Sequence, residues 1–261
     1  MEKATYYIGY ILSALLLILP CYFLWRIKSK MILPYVISML RMAIQLVLVG
    51  VYMKWIFLCN SVWINLLWLV LMGFVVTVSV SKQANLRLRL MFLPIMTGLI
   101  ITSIGIGLYV LFILFTPLSM FDTRYIVPII GILLGCMHRI SGIALNEFYC
   151  SLRYEGQLYE YMLGNGATHL EAIIPFVRRA IEKALKPTLA HLSVAGILTI
   201  PGLFLGQLLG GISPMIAALN TVLVFAASVF ASVISVVLTI FVADRYSFDC
   251  YGRLRRVWRK D

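Results

Sequence analysis

Residues 187–243 read PTLAHLSVAGILTIPGLFLGQLLGGISPMIAALNTVLVFAASVFASVISVVLTIFVA, from Pro187 to Ala243, without one Asp, Glu, Lys or Arg. As one helix these 57 residues would be roughly 85 Å long, against about 30 Å of bilayer hydrocarbon. The run must therefore fold back within a membrane. Gly206, Gly210, Gly211, Ser213 and Pro214 cluster where a turn is needed. They divide the run into one span over about Leu189 to Leu209 and another over about Pro214 to Val242. Upstream lie five more apolar runs: Ala4 to Trp25, Pro34 to Met53 around Arg41, Val62 to Val80, Met91 to Phe115, and Ile126 to Glu147 with His138 and Arg139 inside. The first is too long for a signal-peptide core, and basic residues follow it rather than precede it.

Composition agrees. The 261 residues are 62% hydrophobic and 12% charged, with mean hydropathy +0.99. Soluble domains carry about twice that share of charge. These values exclude a disordered chain, and they leave no room for a large soluble domain. The five cysteines are scattered without a CxxC or other ligand spacing, so neither a disulfide framework nor a zinc site is indicated.

The net charge of +12 is a topology signal rather than a nucleic-acid interface. Seventeen of the 22 Lys and Arg fall in segments 26–33, 81–90, 148–187 and 244–261. Only Lys3, Lys54 and Arg124 fall in the opposite set of segments, and Arg41 and Arg139 lie within spans. The positive-inside rule then puts the N-terminus outside and the C-terminus in the cytosol. The expected fold is an all-α integral membrane protein, a single transmembrane domain over 1–261 with seven transmembrane helices. The basic tail 244–261 reads as solvated and lipid-facing.

The one sizeable soluble segment is 148–187, between spans five and six. Residues Leu152 to Leu163 follow a helical pattern, and Gly164-Asn165-Gly166 ends it. Thr168 and Glu171 have the spacing of a capping box that starts a second helix running towards Pro187. Pro175 is expected to kink that helix or to mark a second start.

Glu160, Gly166 and Ala167 followed by an apolar helix resemble the cytosolic loop of ABC importer permeases, where a short helix fits a groove in the ATPase subunit. Further strings carry a wider resemblance: Arg41-Met-Ala-Ile-Gln45, Ile129-Ile130-Gly131 to Gly135, Leu163 to Thr168, Ala184 to Thr188, and above all Ile200-Pro201-Gly202 with Gly206-Gln207 and Gly210-Gly211. Over nearly the whole chain the pattern resembles the bacterial iron-export ABC permease family, whose plant relatives include the aluminium-sensitivity permease. The resemblance implies a homodimer of permease subunits in the cell (inner or plasma) membrane, exporting a metal such as iron. It also implies a separate P-loop ATPase subunit that binds ATP and Mg, with this chain holding no cofactor itself. It assigns ATPase coupling to Glu160, Gly164, Gly166, Ala167, Thr168, Glu171 and Pro175. After Gly135, where the family continues with Asn, this chain reads Cys136-Met137-His138-Arg139, so a role for that Asn is not carried over.

Ionisable groups inside spans default to functional candidates. Arg41 and Gln45 share a helix face, as do His138, Arg139 and Asn146 with Gly131, Gly135 and Gly142. These polar residues, together with Glu147 as a partner for Arg139 or Arg41, are the candidates for the translocation path. Pro201, Gly202, Gly206, Gln207 and Gly210 are the candidates for a kink or gate, with Gly206 and Gly210 allowing close helix approach. Cys136, Met137 and His138 diverge by about 100° per residue on one helix and cannot close on one ion. No metal ligand set is therefore assigned.

Other classes are weaker. Ser141-Gly142 is preceded by Arg139 where an intramembrane serine protease needs Gly, so no catalytic residue is expected. A retinal protein needs a lysine in the last span, and none lies between Lys186 and Lys260. The chain has no GxxxxGK[ST] string, so it cannot hold ATP in a P-loop. A secondary transporter with no ATPase partner is the remaining rival, and it would need mid-span carboxylates and an inverted repeat.

Overall fold

The computed structural model describes residues 18–59, 61–114, 122–249, 254, 255, 257 and 258. Most of the expected first span lies outside them. The described residues are all-helical, with nine helices and no strand beyond isolated bridges. The chain forms two units, 1–59 and 60–261.

The first unit holds α1 (residues 18–26) and α2 (Ile32–Cys59). Lys28 lies between them with a left-handed φ of 54°. Arg41 and Gln45 sit one helical turn apart on α2.

The second unit holds α3 (Val62–Gln83), α4 (Leu88–Leu114), α5 (Thr123–Tyr154), α6 (Gly156–Gly164), α7 (His169–Ser193), α8 (Gly202–Leu209) and α9 (Pro214–Ser247). Five helices, α2, α3, α4, α5 and α9, are long and apolar enough to cross a membrane. In this unit α3, α4, α5 and α9 pack as one bundle, with α4 antiparallel to α5 and α9. Its core is Met91, Ile95, Leu99 and Leu111 of α4, Leu133, Met137 and Leu145 of α5, and Val236 of α9. Outward-facing residues such as Ile101, Phe112, Phe230 and Phe241 are also apolar, as a lipid-facing surface requires. The protein is a multi-pass membrane protein.

Lipid tails offer no hydrophobic gain for helix association, so close packing of small residues must hold the helices together. Here α9 presents Ala217, Thr221, Ser228, Ala231, Ser235, Thr239 and Ala243 as a buried seam at helical spacing. Gly98 of α4 lies against it: a Cβ there would stand 2.2 Å from Thr239 Oγ1 and 3.0 Å from the Ser235 carbonyl oxygen. Two of the seam hydroxyls bond back to their own helix, Thr221 to the Ala217 carbonyl and Ser228 to the Val224 carbonyl, both at 2.7 Å. Those two are satisfied locally, whereas Ser235 Oγ is buried with no hydrogen-bond partner among the described residues.

One end of the bundle is tied by its connections. Arg87 N–H donates to the Val257 carbonyl (2.8 Å) and its Nε–H to the Trp258 carbonyl (2.9 Å). Arg153 lies 5.0 Å over the Trp258 ring, and Val257 is fully buried. The tail therefore packs onto the α3–α4 turn here, rather than lying solvated and lipid-facing. The apolar Val257 and Trp258 among its charges are what the charge count obscured. At the opposite end Asn65 Nδ2 donates to Thr123 Oγ1 (3.0 Å), joining the starts of α3 and α5.

Sequence and structure part most clearly at the expected sixth span. The helix from Thr168 does not stop near Pro187 or restart at Pro175. It runs through both prolines as one 25-residue α7. The chain then unwinds over 194–201 and resumes as the eight-residue α8. Gly196 takes φ +93° there, with its N–H donating to the Thr199 carbonyl. The Leu189 to Leu209 run is thus a broken helix, not a single span. At about 12 Å, α8 is too short to cross the hydrocarbon alone.

Candidate functional site

Two features at opposite ends of α7 carry the functional argument. The first is the connection from α5 to α7. α5 runs to Tyr154, and α6 follows at once. Gly166 ends α6 with φ +88°, its N–H donating to the Leu163 carbonyl and that of Ala167 to the Met162 carbonyl. This paired closure places Gly166 in the left-handed region that only glycine adopts freely. Thr168 then caps α7. Its N–H donates to Glu171 Oε2 (2.8 Å), while Glu171 N–H donates to Thr168 Oγ1. The backbone and hydroxyl donors of Thr168 hold the Glu171 carboxyl below the usual range.

Behind the loop stands a polar chain. Tyr159 O–H donates to His169 Nδ1 (2.7 Å), and His169 Nε2–H donates to Asp244 Oδ1 (2.7 Å). The carboxylate accepts only, and that fixes the imidazole tautomer. Phe248 packs edge-on to His169 with ring centroids 4.7 Å apart. Burial, and then the Asp244 charge, push the Tyr159 phenol up. α6 is therefore anchored through α7 to the end of α9, while Glu160 and Tyr161 stay exposed. None of the three chain members stood out in the sequence. Tyr159 and His169 lie ten residues apart across a turn, and Asp244 closes the long charge-free run.

Because the cap is exposed, its effect is local. Thr168→Ala is expected to remove about 1 kcal/mol from the start of α7. Hydrogen exchange at Ala172 and Ile173 would read it as faster opening. Since the folded-state pKa of Glu171 is lowered, the cap is complete above the ordinary Glu range and is lost as pH falls through the lowered value. Acidification is therefore expected to speed exchange there in the wild type and to change little in Thr168→Ala.

α7 returns antiparallel along α5. Ala172, Phe176, Ala180 and Ala184 form its buried stripe. Arg179 pairs with Glu155, and Lys183 pairs with Glu147. Glu147 is thus bound to Lys183 rather than to Arg139: the antiparallel α7 brings a cation to it.

The second feature lies where α7 ends. A half-open groove of about 310 Å³ is lined by Cys136 and Arg139 of α5, Thr188 and His191 of α7, Thr199 to Gly202 of the unwound stretch, and Phe225 and Ser228 of α9. The structure brings Arg139, Pro201 and Gly202 together here. His138 faces elsewhere, with Nε2 2.8 Å from Ser79 Oγ on α3. Asn146 Oδ1 accepts from the Cys150 thiol within α5. Gln207 Oε1 accepts from Asn220 Nδ2 (3.1 Å) and holds α8 to α9. At Gly206 a Cβ would meet nothing within 4 Å among the described residues of this unit. At Gly210 a Cβ would meet only carbonyls of its own turn. The close approaches lie instead at Gly98 and at Gly142, which packs on the Gln83 side chain. His191 and Thr188 were missed as groove residues because only the break places them opposite Arg139.

If α5 enters the hydrocarbon at Thr123, Arg139 lies roughly 24 Å along it and within the hydrocarbon depth. It is exposed and makes no hydrogen bond or ion pair among the described residues. A guanidinium at that depth costs about 3 kcal/mol or more unless it faces protein or water. Unwound backbone at membrane depth carries the same requirement. Both point to a water-filled or protein-covered face. Among the described residues no group of three His, Cys, Asp or Glu could hold a metal ion.

The model of the Uncharacterised protein family (UPF0014) matches residues 7–248. The chain belongs to this family. Its relatives within UPF0014 include a membrane protein of Synechocystis, 26% identical over 82% of this chain and 83% of that one. Protein ALUMINUM SENSITIVE 3 of Arabidopsis thaliana is 30% identical over 76% of this chain and 71% of its own. The "Probable iron export permease protein FetB" of Escherichia coli is 24% identical over 82% and 81%. No solved structure matches this UPF0014 chain.

Proposed function

We propose that this UPF0014 member is the membrane-spanning permease subunit of an ABC exporter, moving a metal ion such as iron out of the cell. ATP and Mg bind in a separate P-loop ATPase subunit, and the chain itself catalyses no reaction. The observation that carries the reading is α6: a short, exposed helix at the basic end of the bundle, locked to α9 through Tyr159, His169 and Asp244. Such a helix is a handle for a soluble partner. α7 leads from it directly to the broken helix and the groove. Support for the cargo comes from the Escherichia coli relative, named a probable iron export permease protein. The charge asymmetry supports seven spans with the N-terminus outside and the C-terminus in the cytosol. Two copies would enclose the exposed Arg139 face, surrounded by membrane lipid.

The test is a gentle-detergent pull-down of the full chain from its native cell, read by mass spectrometry. A P-loop ATPase is expected with the wild type and not with Glu160→Lys combined with Tyr161→Ala. Both positions are exposed, so the double variant is expected to stay folded. Gly166 is the poorer target, since any side chain there strains the loop. A folded chain that recovers no ATPase would instead be a secondary transporter.

A further inference from the structure

We propose that the groove at the helix break binds its ligand as an oxyanion, through carboxylate or phosphate oxygens, and rejects a bare metal cation. This rests on the transport reading above, and it names the charge of the cargo at that site. Arg139 supplies a permanent positive charge, and among the described residues no Asp or Glu lines the groove. His191 adds a ring N–H that can donate to oxygen. The hydroxyls of Thr188 and Thr199 are neutral donors on the opposing wall. A divalent or trivalent ion entering alone would meet a guanidinium and no carboxylate, with Cys136 and His191 too few to form a ligand set. An oxyanion would meet the fork geometry that guanidinium recognises.

Size is consistent. About 310 Å³ is room for roughly ten waters at ~30 Å³ each. That suits a small organic acid or phosphate, or one arm of a larger carboxylate complex. A metal would then cross as an anionic complex with its oxygen ligands.

The experiment measures equilibrium binding to the purified full chain in nanodiscs, where no ATPase is needed. The probes are citrate, inorganic phosphate and ferrous ion alone. At least one of the two anions is expected to bind, and ferrous ion is not. Arg139→Gln is expected to weaken that binding about 10- to 100-fold, the range of a charge-assisted pair, with Arg139→Lys recovering part of it.

A second reading guards against misfolding of the variant. With Cys136 as the only cysteine, the bound anion is expected to slow maleimide labelling there when Arg139 is present. Tight binding of ferrous ion by the wild type, strengthened in Arg139→Gln, would overturn the proposal. So would the absence of anion binding together with unprotected Cys136. An ATPase missing from the pull-down leaves these outcomes unchanged, so the two readings fail separately.

Discussion

Gly98→Leu is expected to be the most damaging single substitution in the bundle. The new Cβ alone would lie 2.2 Å from Thr239 Oγ1, 3.0 Å from the Ser235 carbonyl oxygen and 3.2 Å from the Thr239 amide nitrogen. A hydroxyl can rotate away, but two backbone atoms of α9 cannot. The helices must separate, and that strips contacts from Leu99, Ile95 and Val236, all buried at this seam. Overpacking a filled core costs about 1–3 kcal/mol and more when backbone must move. A loss of about 3 kcal/mol corresponds to roughly 6–12 °C in melting temperature for a unit of this size. Gly105→Leu is the control. It lies on the same helix, and a Cβ there would meet nothing within 4 Å, so little change is expected. Melting of the two variants in detergent, followed side by side, checks the prediction. Equal shifts would mean that α4 and α9 are not held by this contact.

Asp244→Ala is expected to separate partner binding from transport. The carboxylate accepts the His169 Nε2–H, and His169 in turn orders Tyr159 on α6. Without it the imidazole loses its tautomer restraint, and α6 is no longer keyed to α9. A hydrogen bond to a charged group contributes about 1.5–3 kcal/mol. If that energy is what transmits the motion, transport in proteoliposomes falls about 10- to 100-fold. The exposed face of α6 is unchanged, so the ATPase is still expected to co-purify. His169→Gln retains a donor and is expected to fall between the two. Transport retained in Asp244→Ala would show that the Tyr159–His169–Asp244 chain only stabilises the loop.

What could be read from the sequence divides along physical lines. Signals that act within one or two turns were legible. The Thr168–Glu171 cap appears as expected, and Gly166 ends its helix for the reason glycine usually does. Apolar runs marked α3, α4, α5 and α9 to within a few residues at most ends, because hydrophobic length is itself the requirement for crossing a bilayer. The C-terminal end of α5 was not marked: it continues seven residues beyond Glu147, since charged residues need not end a helix that leaves the membrane. Pro187 misled for a different reason. Proline removes one hydrogen bond, but neighbouring helices can offset the loss in a bundle, and α5 flanks α7 throughout. The break came instead around Gly196, an unremarked glycine nine residues beyond Pro187. The groove was half legible: Arg139, Pro201 and Gly202 stood out singly. Their meeting with Thr188 and His191 depends on where α7 stops, which no local pattern records. The Tyr159–His169–Asp244 chain joins residues up to 85 positions apart, and so was invisible to spacing.

The unbroken α7 has a mechanical consequence. Its 25 residues give a shaft of roughly 37 Å. If the capped end pivots by about 10°, the far end sweeps roughly 6 Å by the same geometry. Two kinked pieces would dissipate such a swing at the joint. The ion pairs to Glu147 and Glu155 and the alanine stripe bind this shaft to α5, so the two turn together as one crank. If a partner grips the short helix as proposed, it works with gearing: a small angular stroke at α6 becomes a displacement of about two water diameters at His191, beside the groove.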